Sequence, residues 1–112
     1  MTDWNAYRAH LGQSVRAFAT LAPDTIKGIQ TLDHAGAGKG HLDAKTRELI
    51  ALAVAVTTRC DGCISVHSKA AVEAGATKEE IAEALGVAVA LNAGAALVYS
   101  SRVLDAVDSV TG

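Results

Sequence analysis

Aromatic residues are scarce in this sequence of 112 residues, at 4%, although half of its residues are hydrophobic. Its interior must therefore be assembled from Ala, Val, Leu and Ile packed at close range, which suits helices with small-residue contacts. A chain of this length fits one domain, and we assign residues 1–112 to a single domain with one modest core.

The sequence also lacks an excess of basic residues. Its formal net charge is −2, and Lys and Arg are scattered along the chain instead of clustering. Such a chain offers no positive field to phosphates or to anionic lipids. We therefore expect no nucleic-acid partner.

Long hydrophobic runs and a signal peptide are missing as well. The wholly apolar stretches Leu49–Val56 and Leu85–Leu91 are seven or eight residues long, whereas a membrane-spanning helix needs about 20. The start of the chain has neither a positively charged segment nor the apolar core of a signal peptide. These features predict a soluble, cytoplasmic protein that does not cross a membrane.

The spacing of apolar residues predicts an all-α fold of about five to six helices. A first helix is indicated over roughly 2–21, and the single proline, Pro23, interrupts it before a short helix from Asp24 to Leu32. Residues 35–40 hold three glycines and predict a mobile loop. Asp43 then caps a helix over 44–58, which is apolar on every side and is therefore expected to be buried.

The second half of the chain carries clearer helix boundaries. A fourth helix is predicted from Cys60 or Asp61 to Ala74, with Gly75 as a left-handed cap. Thr77 to Glu80 matches a capping box, which starts a fifth helix that continues to about residue 91. Residues 92–94, Asn-Ala-Gly, predict a turn or kink before a last helix that ends near residue 107.

The two cysteines, Cys60 and Cys63, form the one motif that indicates chemistry. On a helix, residues three apart lie on one face, so the two thiols could join with little backbone movement. Cys60 at the first turn would also meet unpaired amides and the positive end of the helix dipole, which favour the reactive thiolate. His67 follows Cys63 by four residues, lies on the same face, and could exchange a proton with it.

Glu48 is the candidate partner of this group. Its carboxylate lies beside the apolar run that starts at Leu49, so it needs a partner such as His67 or a thiol. Periodicity alone favours a simpler interpretation, in which Arg47 and Glu48 form the solvated edge of their helix.

Three segments together resemble the carboxymuconolactone decarboxylase and alkylhydroperoxidase AhpD-like family. These are residues 46–54, residues 60–67 and residues 71–75, with Glu48, both cysteines and the histidine at family spacing, and the resemblance extends over roughly 41–107. It implies that Cys63 is the attacking thiolate, that Cys60 is the resolving thiol which closes a disulfide, and that Glu48 and His67 relay the proton. One departure is Gly62, where the best-known peroxidase of the family has a second histidine.

The same resemblance implies an all-helical AhpD-like bundle that assembles as a homo-oligomer, either a trimer or a hexamer built as a trimer of dimers. The stretch from Leu85 to Val98, rich in Ala, Gly and Val, could be a helix contact within or between subunits. The predicted function is that of a thiol-dependent alkylhydroperoxidase or disulfide reductase. It would use a hydroperoxide or disulfide as substrate, no bound cofactor, and a lipoyl-bearing or other thiol protein as reductant.

Three other interpretations stay open at the level of sequence. Zinc could bind Cys60, Cys63 and His67, with Glu48 or His41 as fourth ligand, although a closed zinc site usually has a second ligand pair. The cysteines could instead be inert core residues of a helical scaffold. A decarboxylase or related lyase could use His67 and Glu48 for acid–base chemistry.

Overall fold

The computed structural model describes residues 1–111 and is all-helical over that range, as the sequence predicts. It has five α-helices, with a short 3₁₀ turn at Ala37–Lys39, and no strand among the described residues. The helices are α1 (Trp4–Leu21), α2 (Pro23–Ala35), α3 (Ala44–Thr58), α4 (Asp61–Glu73) and α5 (Lys78–Thr111).

The first two helices follow directly on one another. Asp3 caps α1, since its Oδ1 accepts the Ala6 amide at 3.1 Å. Pro23 occupies the first position of α2 and so begins that helix, one residue before the predicted start, because a first-turn amide needs no helical partner. The loop predicted over residues 35–40 is shorter than expected, because α2 continues to Ala35 and residues 37–39 form the 3₁₀ turn. Gly40 then adopts a left-handed φ of 72°.

A tight corner joins α3 to α4 and sets the position of Cys60. Asp43 caps α3 through a 2.8 Å bond from the Thr46 amide, as predicted. The helix ends at Thr58, and the next residue, Arg59, has a left-handed φ of 56°. The Cys60 amide then donates to the Ala55 carbonyl at 3.0 Å. These contacts leave Cys60 in extended conformation as the N-cap of α4.

The start of α5 agrees with the predicted capping box. The Thr77 amide donates to Glu80 Oε1 at 3.0 Å, and the Glu80 amide donates to Thr77 Oγ1 at 3.1 Å. Gly75 has the predicted positive φ, 92°, in the preceding turn. Lys45 also bonds to Glu80 at 2.7 Å, which links α3 to the first turn of α5.

The predicted turn at residues 92–94, with a separate last helix after it, is wrong, because α5 is one helix of 34 residues. Asn92 gives the physical reason. Its side-chain amide donates to the Ala88 carbonyl of its own helix at 2.7 Å and to Thr57 Oγ1 of α3 at 2.9 Å. An asparagine whose side chain is satisfied in this way has no competing turn conformation to favour.

Helix α3 is the central helix of the chain, with α4 on one side and the first half of α5 on another. Few of the described side chains are buried, and most of these are small: Leu52, Ala55, Ser65, Ala71 and Ala88. The prediction that α3 is buried all round is wrong for the described chain, in which Ile50 is 50% exposed. Two neighbouring helices do not cover every side of a third.

The second half of α5 extends away from the rest of the chain with its apolar side chains uncovered. Leu97 is 76% exposed and Leu104 66% exposed. The radius of gyration is 18.5 Å, compared with about 13 Å for a compact domain of this length. The accessible surface is 8525 Å², whereas a compact monomer of this size exposes about 5,800 Å².

The same helix meets the length and composition criteria for a membrane span, with a mean hydropathy of 1.8 over its most apolar window of 18 residues. The sequence prediction considered only wholly apolar stretches and missed that residues 84–101 carry no Asp, Glu, Lys or Arg. The core helix of a non-membrane protein meets the same criteria. The absence of a membrane span therefore stays a prediction.

Candidate functional site

Cys60 and Cys63 lie together in the first turn of α4 as free thiols, each partly exposed. Cys60 Sγ accepts the Cys63 amide at 3.2 Å and so caps the helix, a role that Ser, Thr, Asp or Asn usually fills. Negative charge on this sulfur lies at the positive end of the helix dipole. The turn therefore favours a thiolate at Cys60.

The two thiols affect each other's ionisation in opposite directions. The hydrogen bonds that Cys63 donates, from its thiol and from its amide, hold the pKa of Cys60 below the ordinary thiol value. Donating that bond to Cys60, together with burial, raises the pKa of Cys63 above the ordinary thiol value. In the reduced pair, these contacts therefore make the Cys60 thiol the more acidic of the two.

Glu48 and His67 meet across the α3–α4 contact. His67 Nδ1 lies 2.7 Å from Glu48 Oε2, and the two side chains are 33% and 24% exposed. Since a carboxylate only accepts, Nδ1 carries the proton of this bond. Glu48 is thus a partner of His67 and not the solvated edge residue that periodicity favoured. Nε2 has no hydrogen bond to residues 1–111 and is the ring atom that can exchange a proton.

The four predicted site residues therefore come from two packed helices. Helix α3 supplies Glu48, and α4 carries Cys60, Cys63 and His67 on successive turns. His41, the suggested fourth zinc ligand, is exposed before the start of α3. In the part of the chain that the structure describes, no three His, Cys, Asp or Glu side chains are arranged to hold a metal ion.

Sequence reasoning missed a contact from α1, in which Arg8 bonds to the turns that follow the cysteines. Arg8 Nε donates to the Ser65 carbonyl at 2.6 Å, and its terminal nitrogen donates to Ser68 Oγ at 3.3 Å. Ser65 is completely buried, and its Oγ donates to the Gly62 carbonyl at 2.8 Å. No motif marks Arg8, because its partners lie 57 and 60 residues further along the chain.

Leu11, one turn after Arg8, packs over the middle of the cysteine motif. A Cβ at position 62 would lie 3.5 Å from Leu11 Cδ2 and 3.8 Å from Cys60 Sγ. Helix α1 thus forms one wall of the site.

Comparison with known proteins agrees with this architecture. A family model described as the carboxymuconolactone decarboxylase family matches residues 23–106. Among curated proteins, the chain is 52% identical over 105 residues to an uncharacterized protein from Haemophilus influenzae, covering 94% of this chain and 93% of that protein. It is 39% identical over 104 residues to "uncharacterized protein 4 in cox locus" from Paracoccus denitrificans, covering 93% and 90% of the two chains.

A solved structure is similar over almost the whole chain. It is the apo crystal structure of a carboxymuconolactone decarboxylase family protein from Legionella pneumophila, with 35% sequence identity. The superposition has a TM-score of 0.74 and covers 97% of each chain. The likeness includes α1, which lies outside the residues that the family model matches.

Proposed function

Since the chain belongs to the carboxymuconolactone decarboxylase family, we propose that it is a thiol-dependent peroxidase or disulfide reductase of the reducing cytoplasm. One observation carries the proposal: the paired thiols in the first turn of α4, with Cys60 Sγ accepting the Cys63 amide at 3.2 Å. This arrangement lowers the pKa of Cys60, and a thiolate is the form that attacks peroxides and disulfides. An inert core pair would need neither the cap position nor partial exposure.

The proposed reaction has two steps, and reduction of the resulting disulfide completes the cycle. One thiolate attacks the outer oxygen of a hydroperoxide, the O–O bond breaks, and the departing alkoxide takes up a proton to give an alcohol and a sulfenic acid. The second thiol displaces water from the sulfenic acid and forms the disulfide of Cys60 and Cys63. A dithiol such as a lipoyl-bearing or thioredoxin-like protein then supplies two electrons and two protons to restore both thiols.

His67 and Glu48 would move the proton in this scheme. Nε2 of His67 can accept the proton of the attacking thiol and return it to the leaving oxygen. The 2.7 Å bond from Nδ1 to Glu48 holds the imidazole in one tautomer and stabilises its charged form. No bound organic cofactor is needed for these steps.

Which of the two thiols attacks the substrate is a separate question. The family resemblance assigns the attack to Cys63, which lies one turn from His67. The hydrogen bonds of the reduced pair support the other thiol, since they lower the pKa of Cys60 and raise that of Cys63. Single Cys→Ser variants treated with peroxide and dimedone distinguish the two, because only the variant that retains the attacking thiol forms a trapped sulfenic acid.

Intact mass and thiol titration before and after one equivalent of hydroperoxide test the proposal as a whole. We expect two free thiols to be replaced by an intramolecular disulfide, with a mass loss of two hydrogens. Cys60→Ser and Cys63→Ser should each abolish disulfide formation. Thiols that stay reduced under these conditions would overturn the peroxidase assignment.

A lyase is the second candidate, because the Glu48–His67 pair also suits acid–base chemistry on a carboxylated ring or lactone. The two candidates predict different effects of cysteine substitutions on activity. A lyase should tolerate both Cys→Ser changes and lose its activity with His67→Ala. The redox enzyme should lose turnover with either cysteine change.

We also propose that the protomer assembles with copies of itself through the exposed second half of α5. Its accessible surface of 8525 Å² exceeds that of a compact monomer by about 2,700 Å². An excess of this size is typical of the area that obligate subunit interfaces bury. A trimer, or a hexamer built as a trimer of dimers, is the assembly that the family resemblance implies.

A further inference from the structure

Leu11 of α1 stands beside the cysteine that the hydrogen bonds favour as thiolate. Its Cδ2 and Cδ1 atoms would lie 3.5 and 3.9 Å from a Cβ at position 62, and that Cβ would lie 3.8 Å from Cys60 Sγ. Leu11 therefore takes up space over Gly62, next to the turn that holds Cys60 Sγ. A reagent that approaches Cys60 from this side meets the leucine side chain first.

The position of Leu11 is fixed by polar contacts one turn earlier. Arg8 donates 2.6 Å and 3.3 Å bonds to α4, at the Ser65 carbonyl and the Ser68 hydroxyl. Ser65 in turn bonds to the Gly62 carbonyl at 2.8 Å, within the cysteine motif itself. A charge-assisted link of this kind, to a completely buried residue, holds α1 at a set distance from the first turn of α4.

Beyond Leu11 the two helices are separated by an open groove. It has a volume of about 450 Å³, and its apolar lining includes Leu11, Val15, Val66 and Ala70. This volume is within the range of small-molecule sites in proteins. Leu11 is thus a residue that both lines the groove and lies next to Gly62 of the cysteine motif.

We propose that Leu11 is a specificity-determining residue that screens Cys60 and limits the site to slim substrates. The class admitted is that of hydroperoxides or disulfides whose carbon next to the reacting oxygen or sulfur is unbranched. Bulky tertiary or aromatic ones are excluded. This inference rests on the proposed redox function for the identity of the substrate, and on geometry alone for the screening of the thiol. Arg8 is a positioning residue for the screen.

The test measures access to Cys60 with two uncharged maleimides of different size, N-ethylmaleimide and N-(1-pyrenyl)maleimide, in a Cys63→Ser background where Cys60 is the only thiol. Leu11→Ala should raise the rate constant for the pyrenyl reagent about tenfold, a barrier change of about 1.4 kcal/mol. The rate constant for the ethyl reagent should change by less than about twofold.

Two variants serve as controls. Val15→Ala removes a similar amount of side chain from the same groove, one turn away from the cysteines, and should leave the ratio of the two rate constants unchanged. Leu11→Met nearly conserves the volume and should keep the selectivity of the wild type. Arg8→Gln should reduce the selectivity in the same direction as Leu11→Ala.

The result that overturns the inference is an unchanged ratio in Leu11→Ala when circular dichroism shows that this variant is folded. Because maleimides react with any accessible thiol, this outcome is independent of peroxidase activity. If the ratio shifts but peroxide never oxidises the wild type, the screen stands and the peroxidase assignment falls. If both hold, Leu11→Ala should also raise the rate with cumene hydroperoxide relative to hydrogen peroxide.

Discussion

Cys60 combines two roles at the scale of a single residue, since its sulfur caps α4 by accepting the Cys63 amide, and the neighbouring Cys63 side chain lowers its pKa. Because its pKa is lowered, more thiolate is present at neutral pH than in an ordinary cysteine. The rate of iodoacetamide alkylation should therefore reach its plateau at a lower pH than for a free thiol. In Cys63→Ala the donor thiol is lost, and the midpoint for Cys60 should rise. Identical midpoints in the two proteins would contradict the assigned contact.

The Glu48–His67 bond gives a second expectation at this scale. His67→Ala removes the proton-exchanging atom and should lower the rate of peroxide-driven disulfide formation by about 10² or more. Glu48→Gln keeps a hydrogen-bond acceptor but removes the charge that stabilises imidazolium, so its effect should be smaller, about tenfold. The exposed carboxylate variant Glu83→Gln is the matched control, and stopped-flow thiol oxidation is the measurement. Equal rates in Glu48→Gln and Glu83→Gln would remove Glu48 from the mechanism.

Sequence reasoning found the residues of the candidate site that share a local motif. Cys60, Cys63 and His67 follow from helical spacing alone, because residues three and four apart lie on one face. The bond from His67 to Glu48 depends on how α3 packs on α4, and periodicity favoured the wrong environment for Glu48. Arg8 and Leu11 had no local signal, since their contacts with α4 arise only from the tertiary fold.

At the scale of the helices, the capping box of α5 is expected to have a measurable effect on stability. Thr77→Ala removes the acceptor of the Glu80 amide and should lower the free energy of unfolding by about 1 kcal/mol. Thr31→Ala, an exposed threonine within α2, is the control and should change it by less than about 0.5 kcal/mol. Urea denaturation at one fixed protein concentration makes the comparison. Equal effects of the two changes would show that the cap contributes nothing specific.

Helix starts were easier to predict than helix interiors. Asp3, Asp43 and Thr77 each accept an amide of the first turn, so a residue type at one position carries the signal. The continuity of α5 through Asn92 and Gly94 depends on a partner instead, because Thr57 of α3 accepts the Asn92 side chain. A prediction from turn-forming residue types alone does not include a contact with another helix.

For the whole molecule, the exposed half of α5 predicts self-association. Light scattering after size exclusion should give a mass of three or six protomers. Leu97→Glu combined with Leu104→Glu places charges in the apolar face and should reduce that mass, whereas Gln30→Glu on α2 should not. A monomeric wild type at tens of micromolar would contradict the proposal, and pelleting with phospholipid vesicles would indicate that a membrane covers the face instead.

The all-α class followed from composition and spacing, but the extent of burial did not. An apolar pattern around α3 and along α5 indicates that these surfaces avoid water, without saying whether the same chain or another copy covers them. Ile50 of α3 and Leu97 of α5 belong to these apolar surfaces, yet the chain itself leaves both of them exposed. Small side chains, which fill little volume, leave a short chain with too few internal contacts to enclose every apolar face.

The long, half-covered helix α5 links folding to concentration. The first part of α5 gains stability from contacts with α3 in the same chain, while its second part would gain it from other protomers. By mass action, the assembled state then becomes more stable as protomer concentration rises, and the melting temperature rises with it. Dilution alone would loosen α5 and, through the Lys45–Glu80 and Thr57–Asn92 contacts, the helix that carries Glu48. The abundance of the protein in its cell would thereby help to set how well the site is held together.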